Sequence, residues 1–496
     1  MKKVLSLEVI VVFLMTVAAY GYFFSGTDWN TNSRMAMVKA VVEENRFEID
    51  SFHRKGLITR DEAKLRGHFY SDKAIGSALI GIAFYLPIYH LAQFSGNVIP
   101  VKTFIELISF LAIGLICAFL APFLYSFAKR ISGNTWFALL VCFAICLGTP
   151  IYKYSTFYYG HVLAGLFLFV VFFIWFSMKD EERIHPTKVL ISGYLLGFAV
   201  ITEYPTVLMV AILGGYILYV LWKKQALWDV KIYIRLGIGM AIPIILLLTY
   251  NTAIFRHPFK TGYGYEVIKE FRDGQQIGLM GIGLPNLAHL FYMTFHTTMG
   301  VFWQSPVLLC AFWGWLRMWQ GRQYRAEAVF SFGLALVYFL MMSGYYMWWG
   351  GAAFTPRSLI PVFPFFGIPL VFLVRKPEKI WLAIFALISI VQMFVVVAGD
   401  DKHIEPVIAA MGSTSFQTLF QPTSMVYNIY LPNFINQLLG VNRGKEFFHL
   451  EGFASLIPFF VLEVCLVAVF ALLTANRKAA ASQSSQQPEV LLNDGR

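Results

Sequence analysis

Apolar runs of roughly 20 residues recur from one end of this chain to the other, the length a helix needs to cross a hydrocarbon core. They fall at about 4–24, 74–94, 101–128, 134–150, 159–178, 187–202, 204–222, 233–254, 303–319, 327–344, 358–374, 379–398 and 454–475. Only 14% of the residues are charged and 58% are hydrophobic, where soluble domains hold roughly 25% charged residues. The sequence therefore predicts an all-α polytopic membrane protein with no separate soluble domain. Cys117, Cys142, Cys146, Cys310 and Cys465 all lie inside apolar runs with no CxxC pair, as buried small apolar residues do. The first run exceeds a signal-peptide core and further spans follow it, so it reads as an uncleaved first helix.

Charge sets the topology. If 74–94 lies along the membrane without crossing, then Lys2/Lys3, Lys129/Arg130, Lys179/Arg183/Lys188, Lys223/Lys224/Lys231, Arg322/Arg325, Arg375/Lys376/Lys379 and Arg477/Lys478 share one side. The positive-inside rule makes that side cytoplasmic and gives about 12 spans with both termini inside. The net charge of +11 then reports orientation, and nucleic acid is not an expected partner. A membrane-embedded domain covers 1–475. Its first outer loop, 25–100, carries juxtamembrane helices, among them an amphipathic one at Ser33–Glu44, and 399–453 forms another outer loop. The polar segment 476–496 reads as a disordered cytoplasmic tail. No internal repeat is visible, which weakens a transporter reading.

Several charges sit at the outer boundary, where membrane lipid and water meet. Asp28, in "GTDWNTNSR", is crowded by Trp29, Asn30 and Arg34, a setting that suits a general base as well as plain solvation. Glu48-x-Asp50 has the spacing of paired acids that can hold a divalent ion, or of two acids in an ordinary charged loop. Glu203, beside Tyr204 and Pro205, breaks an apolar stretch, and His161 heads one in "TFYYGHVLAG". Arg357 closes "YYMWWGGAAFTPR". It suits bidentate phosphate binding over an aromatic floor that includes Trp349, or snorkelling at the interface. Gly350, Gly351 and Ala352 there favour close backbone approach. In "HFYSDKAIGSAL", Asp72 and Lys73 open an apolar run, where an ammonium matches a lipid-linked phosphate or simply pairs with its neighbour.

In their order along most of the chain, "YSDKAIG", "FYYGHVLAG", "TEYP", "FWQSPVLL" and "WWGGAAFTPRSLIPVFPF" resemble passages of the GT-C superfamily of polytopic membrane glycosyltransferases. The resemblance is especially to relatives of aminoarabinose transferase and protein O-mannosyltransferases. Ala74-Ile75 stands where that family often has two prolines. The resemblance implies a GT-C-like fold in the cytoplasmic (inner) membrane, with its site facing the periplasm or exterior. It implies transfer of a sugar from a polyprenyl-phosphate donor to a lipid, glycan or protein acceptor. Asp28 would deprotonate the acceptor hydroxyl, while Lys73 and Arg357 would bind the donor phosphate. Tyr70, Asp72, Arg34, His161, Glu203, Tyr204 and Trp349 would line the sugar and acceptor pocket, and the segment 255–302 would cover it. No cofactor is implied. A metal-dependent variant would use Mg²⁺ or Mn²⁺ with Asp28, Glu48 and Asp50. A transporter or lipid-linked sugar flippase, and an O-antigen ligase or polymerase, are the competing classes.

Overall fold

The computed structural model describes residues 6–351, 353–400 and 424–484. Helices dominate: α1 (Leu7–Tyr22), α2 (Trp29–Glu44), α3 (Gly76–Phe94), α4 (Val101–Ser132), α5 (Thr135–Cys146), α6 (His161–Met178) and α7 (Pro186–Thr202) form the first half. The second half holds α8 (Tyr204–Lys223), α9 (Val230–Phe255), α10 (Cys310–Gln320), α11 (Arg325–Ser343), α12 (Arg357–Leu370), α13 (Lys376–Ala398) and α14 (Ile457–Ser484). Among the described residues, eight helices are long and apolar enough to cross a membrane, and shorter apolar helices such as α1, α5, α7 and α12 accompany them. The chain is an all-α, polytopic integral membrane protein.

Ion pairs divide the bundle into two ends. At one, Glu8 on α1 accepts from Lys129 and, at 3.2 Å, from Arg477. Arg130 meets Asp180 at 2.9 Å, Lys179 meets Glu327 at 2.6 Å, and Lys188 meets Glu181 at 2.7 Å. This is the basic end. At the other, Arg443 pairs with Glu106 at 2.7 Å and donates to the Gly21 carbonyl at 3.3 Å. There β1 (Phe23–Phe24) leaves α1, and β4 (Val441–Asn442) pairs with it antiparallel.

The site end holds the rest of the non-helical structure. β2 (Glu62–Leu65) and β3 (His68–Ser71) form a hairpin in which Ala63 faces Tyr70. Its two-residue turn, Arg66-Gly67, has φ of 54° and 88°, the double positive φ of a type I′ turn whose twist matches the strands. By length α3 could cross, but its contacts keep it at the site end. A Cβ on Gly76 would collide with Thr202 at the end of α7, and Tyr85 stacks edge-on to Phe104, 4.5 Å away, in the first turns of α4.

Two expectations change. The predicted amphipathic surface helix starts earlier, at Trp29, and is buried on nearly all sides from Asn30 to Ala40. It is roofed by α3, where Tyr85 donates to Glu43 and Val38 abuts Gly81, and by the hairpin, where Ser33 bonds Ser71 at 2.8 Å. Most of its polar groups find partners inside the protein, as Asn30, Ser33 and Arg34 do, although Thr31 Oγ1 and Asn32 Oδ1 are buried without one among the described residues. The tail is also helical past Ala475, because α14 continues to Ser484. Residues 485–496 of the predicted tail and 401–423 of the predicted outer loop lie outside the described residues, as does Ala352.

Candidate active site

Asp28 is the N-cap of α2. One carboxylate oxygen accepts the Thr31 N–H at 2.8 Å, which places the acid at the positive end of the helix. The other accepts the Tyr159 hydroxyl. Burial pushes the Tyr159 phenol well above its ordinary pKa, so it remains a protonated donor. Arg357 completes the chain: its Nη1 donates to the same Tyr159 oxygen at 2.9 Å, and its guanidinium lies 5.0 Å over the Tyr159 ring. That hydroxyl is the one hydrogen-bond partner of Arg357 among the described residues. A carboxylate can accept roughly four hydrogen bonds and a guanidinium can donate five. Asp28 and Arg357 both keep unused capacity, and both are partly exposed.

The turn before Arg357 explains its placement. Gly350 and Gly351 have φ of +89° and +73°, where a Cβ is strained, and a side chain on Gly350 would lie 3.1 Å from the Arg357 nitrogen. Trp349 is half-buried there, edge-on to Trp348 at 5.9 Å.

A second network backs the first. Arg34, on α2 two turns from Asp28, donates to Ser77 at 2.7 Å and to Glu203 at 3.2 Å, and its Nε donates to Asn30 at 3.0 Å. Glu203 also faces His161 Nδ1 at 3.3 Å. Burial opposes ionisation of Glu203, but His161 and Arg34 outweigh it and hold the carboxyl down at about 2. Gly160 permits this approach, since a Cβ there would lie 2.6 Å from Glu203 Oε1. The His161 and Tyr159 rings stack at 5.8 Å, joining the two networks, and His161 Nε2 is buried without a partner. Tyr204 packs edge-on to Tyr263 at 5.8 Å, so the segment 255–302 does reach this site.

Lys73 stands differently. Its ammonium lies 2.8 Å from Asp61 and 2.9 Å from Asp72, with its side chain 12% exposed. Burial disfavours its charge, yet the two acids raise its pKa, so it stays an ammonium locked between them. Asp72, buried beside it, is itself raised by desolvation. A third acid, Glu266, joins from the segment 255–302 through a bridge to Ala63, and Val267 N–H donates to the Glu62 carbonyl at 3.0 Å. Burial, then the charge of Asp72, pushes Glu266 up to about 9, and its Oε2 has no partner.

Glu48 and Asp50 hold the hairpin. Asp50 accepts from the Phe69 N–H at 2.8 Å and faces His68 at 2.7 Å, while Glu48 accepts from Tyr70 at 3.1 Å. Among the described residues, no group of three or more His, Cys, Asp or Glu is placed to hold a metal ion.

The structure thus gathers Asp28, Arg357, Arg34, Glu203 and His161 around Tyr159, and sets Lys73 and Asp72 in a separate cluster with Asp61 and Glu266. Tyr159, Asp61 and Glu266 escape the sequence reading. Tyr159 lies inside the quoted "FYYGHVLAG", but nothing distinguishes it from Tyr158, whose hydroxyl donates to Ser77 O instead. A cavity of about 1220 Å³ lies elsewhere at the site end, lined by Lys102, Glu106, Arg443 and Glu446, whose charges pair with one another.

No family model matches the chain, and no curated protein does. Among solved structures it is similar to the crystal structure of ArnT from Cupriavidus metallidurans bound to undecaprenyl phosphate. Identity is 13% and the TM-score is 0.45, over 86% of this chain and 74% of that one.

Proposed function

We propose that this protein is a membrane glycosyltransferase that moves a sugar from a polyprenyl-phosphate donor to an acceptor hydroxyl. One observation carries the reading: a carboxylate and a guanidinium meet through a single phenol, each with unused hydrogen-bonding capacity, at one end of a membrane bundle. The ordered motifs that resemble GT-C enzymes support it. Asp28 takes the proton of the acceptor hydroxyl, and the oxygen attacks the anomeric carbon. The bond from that carbon to the phosphate oxygen breaks, and its electron pair leaves with the lipid phosphate. Arg357 faces the charge that develops there, where a fixed cation away from bulk water is most effective. Tyr159 holds the two groups in register. Arg34, Glu203 and His161 fix the floor beneath them, and Lys73 pins the hairpin and the covering segment.

The basic end lies opposite the site, which under the positive-inside rule supports an exterior-facing site. Asp61, Asp72 and Glu266 leave Lys73 no charge to offer a phosphate, which makes Arg357 the cation of this reaction.

The test uses purified wild type and Asp28→Asn in detergent, with crude membrane lipid as donor and acceptor source. Release of free polyprenyl phosphate is followed with and without EDTA. Release by the wild type that survives EDTA and falls by roughly 10²–10⁴ in Asp28→Asn is the expected result. Equal release by the variant would remove Asp28 from the mechanism. Loss with EDTA would bring a divalent ion, with Glu48 and Asp50, into the site. No release by the wild type over a range of lipid extracts would favour transport of a lipid-linked sugar.

A further inference from the structure

A groove of about 580 Å³ runs between α8 and α11, starting at the basic end and far from Asp28. Glycines hollow it: a Cβ on Gly215 or on Gly333 would meet nothing within 4 Å. Tyr216 and Phe330, both buried, form the floor with ring centroids 5.0 Å apart. The Tyr216 hydroxyl is committed behind the floor, donating to Glu327 at 2.9 Å, so an apolar ring faces the hollow. From Ala326 to Val337 the α11 wall advances roughly 16 Å at 1.5 Å per residue.

The mouth is polar. Arg325 is exposed, its guanidinium 5.0 Å over the Trp319 ring and its Nε donating to the Trp319 carbonyl at 2.9 Å. Its remaining N–H groups have no hydrogen-bond partner among the described residues. Tryptophan settles at headgroup depth, and a guanidinium there presents a fork that matches phosphate. A protein helix is too wide: at about 10 Å across, a 16 Å length fills on the order of 1200 Å³, twice the groove. An extended hydrocarbon chain is narrower and suits the apolar floor.

We propose that this groove holds one anionic phospholipid from the leaflet at the basic end, an acyl chain lying over Tyr216 and Phe330 and the phosphate on Arg325. The excess of Lys and Arg at this end favours an anionic headgroup over a zwitterionic one.

Native mass spectrometry of the detergent-purified full chain tests this, with phosphatidylglycerol or phosphatidylcholine of the same acyl chains titrated in. The wild type should retain one phosphatidylglycerol at a concentration about tenfold below that needed for phosphatidylcholine. Gly333→Leu, which fills the hollow, should lose that tight adduct. Arg325→Glu, an exposed change that leaves the hollow intact, should abolish the preference between the two lipids. Wild-type retention by Gly333→Leu would overturn the proposal, as would equal retention of both lipids by the wild type. A lipid-free dimer that disappears in Gly333→Leu would overturn it in favour of a second copy of the chain.

Discussion

Arg357 and Lys73 resemble each other in the sequence: each is a lone cation heading an apolar run, framed by aromatics and small residues. The structure separates them. Arg357 touches a neutral phenol at 2.9 Å, whereas Lys73 is held by two carboxylates within 2.9 Å. A cation whose charge is already matched inside the protein gains little by meeting a phosphate, because it must first give up ion pairs made away from water. Partners, more than the motif around a cation, decide whether it is free to bind a ligand.

The largest effect should come from the free cation. Arg357→Ala should lower polyprenyl-phosphate release by roughly 10²–10³, the cost of losing one fixed donor to a developing anion. Its thermal midpoint in detergent should stay near that of the wild type. Arg357→Lys should recover little, because a point charge cannot reach Tyr159 and a phosphate together as a fork does. Full activity in Arg357→Ala would move the phosphate elsewhere, with Lys73 the next candidate.

The locked cation should show the reverse pattern. Lys73→Met strands Asp61 and Asp72 without a counter-charge, and removing one partner of a buried pair costs about 3–5 kcal/mol. Thermal unfolding in detergent should drop accordingly. Activity should fall only as the folded fraction does, and the double variant Lys73→Met/Asp72→Asn should regain part of the stability. A stable Lys73→Met that is catalytically dead would erase the distinction between the two cations.

The coarse architecture is legible in the sequence because it depends on apolar length and on where Lys and Arg fall, both local properties. The bundle ends that Lys129, Lys179 and Arg477 share follow from that pattern. The cap at Asp28 leaves a local signal, an acid just before a helix, but a reading that starts the helix at Ser33 misses it. The acid cluster is not. Asp61 reaches Lys73 across the hairpin, and Glu266 joins from far along the chain through a single bridge at Ala63. Contacts at such separation leave no spacing to read. The same holds for Glu48 and Asp50, whose spacing fits a metal pair and an ordinary charged loop alike, and whose oxygens accept from backbone and side chains of β3.

A smaller effect should follow at the phenol that joins Asp28 to Arg357. Tyr159→Phe removes a hydroxyl bonded to two charged groups, and such bonds contribute about 1.5–3 kcal/mol each before relaxation. A roughly tenfold fall in turnover with little change in apparent acceptor affinity is expected if Tyr159 orients Asp28. A fall confined to acceptor affinity would make the phenol a binding group instead.

The smallest effect on turnover lies in the segment that Glu266 docks onto the hairpin. Burial and the neighbouring Asp72 raise this carboxyl from 4.5 to about 9, so the docked segment keeps a proton that the undocked one sheds. Below pH 4.5 both forms hold the proton and docking is insensitive to pH. As pH rises towards 9 only the docked form still binds it, so undocking becomes steadily easier. Hydrogen exchange of residues 262–283, corrected for intrinsic rates, should therefore show protection falling between pH 6 and 8 by up to about 100-fold, the limit set by one proton released over two pH units. Glu266→Gln carries no titrating proton and should flatten that slope while leaving Lys73 bound to Asp61 and Asp72. An unchanged slope in Glu266→Gln would assign the pH response to other groups facing the same cluster, chiefly Asp72, and would leave Lys73 less firmly locked than its two ion pairs imply.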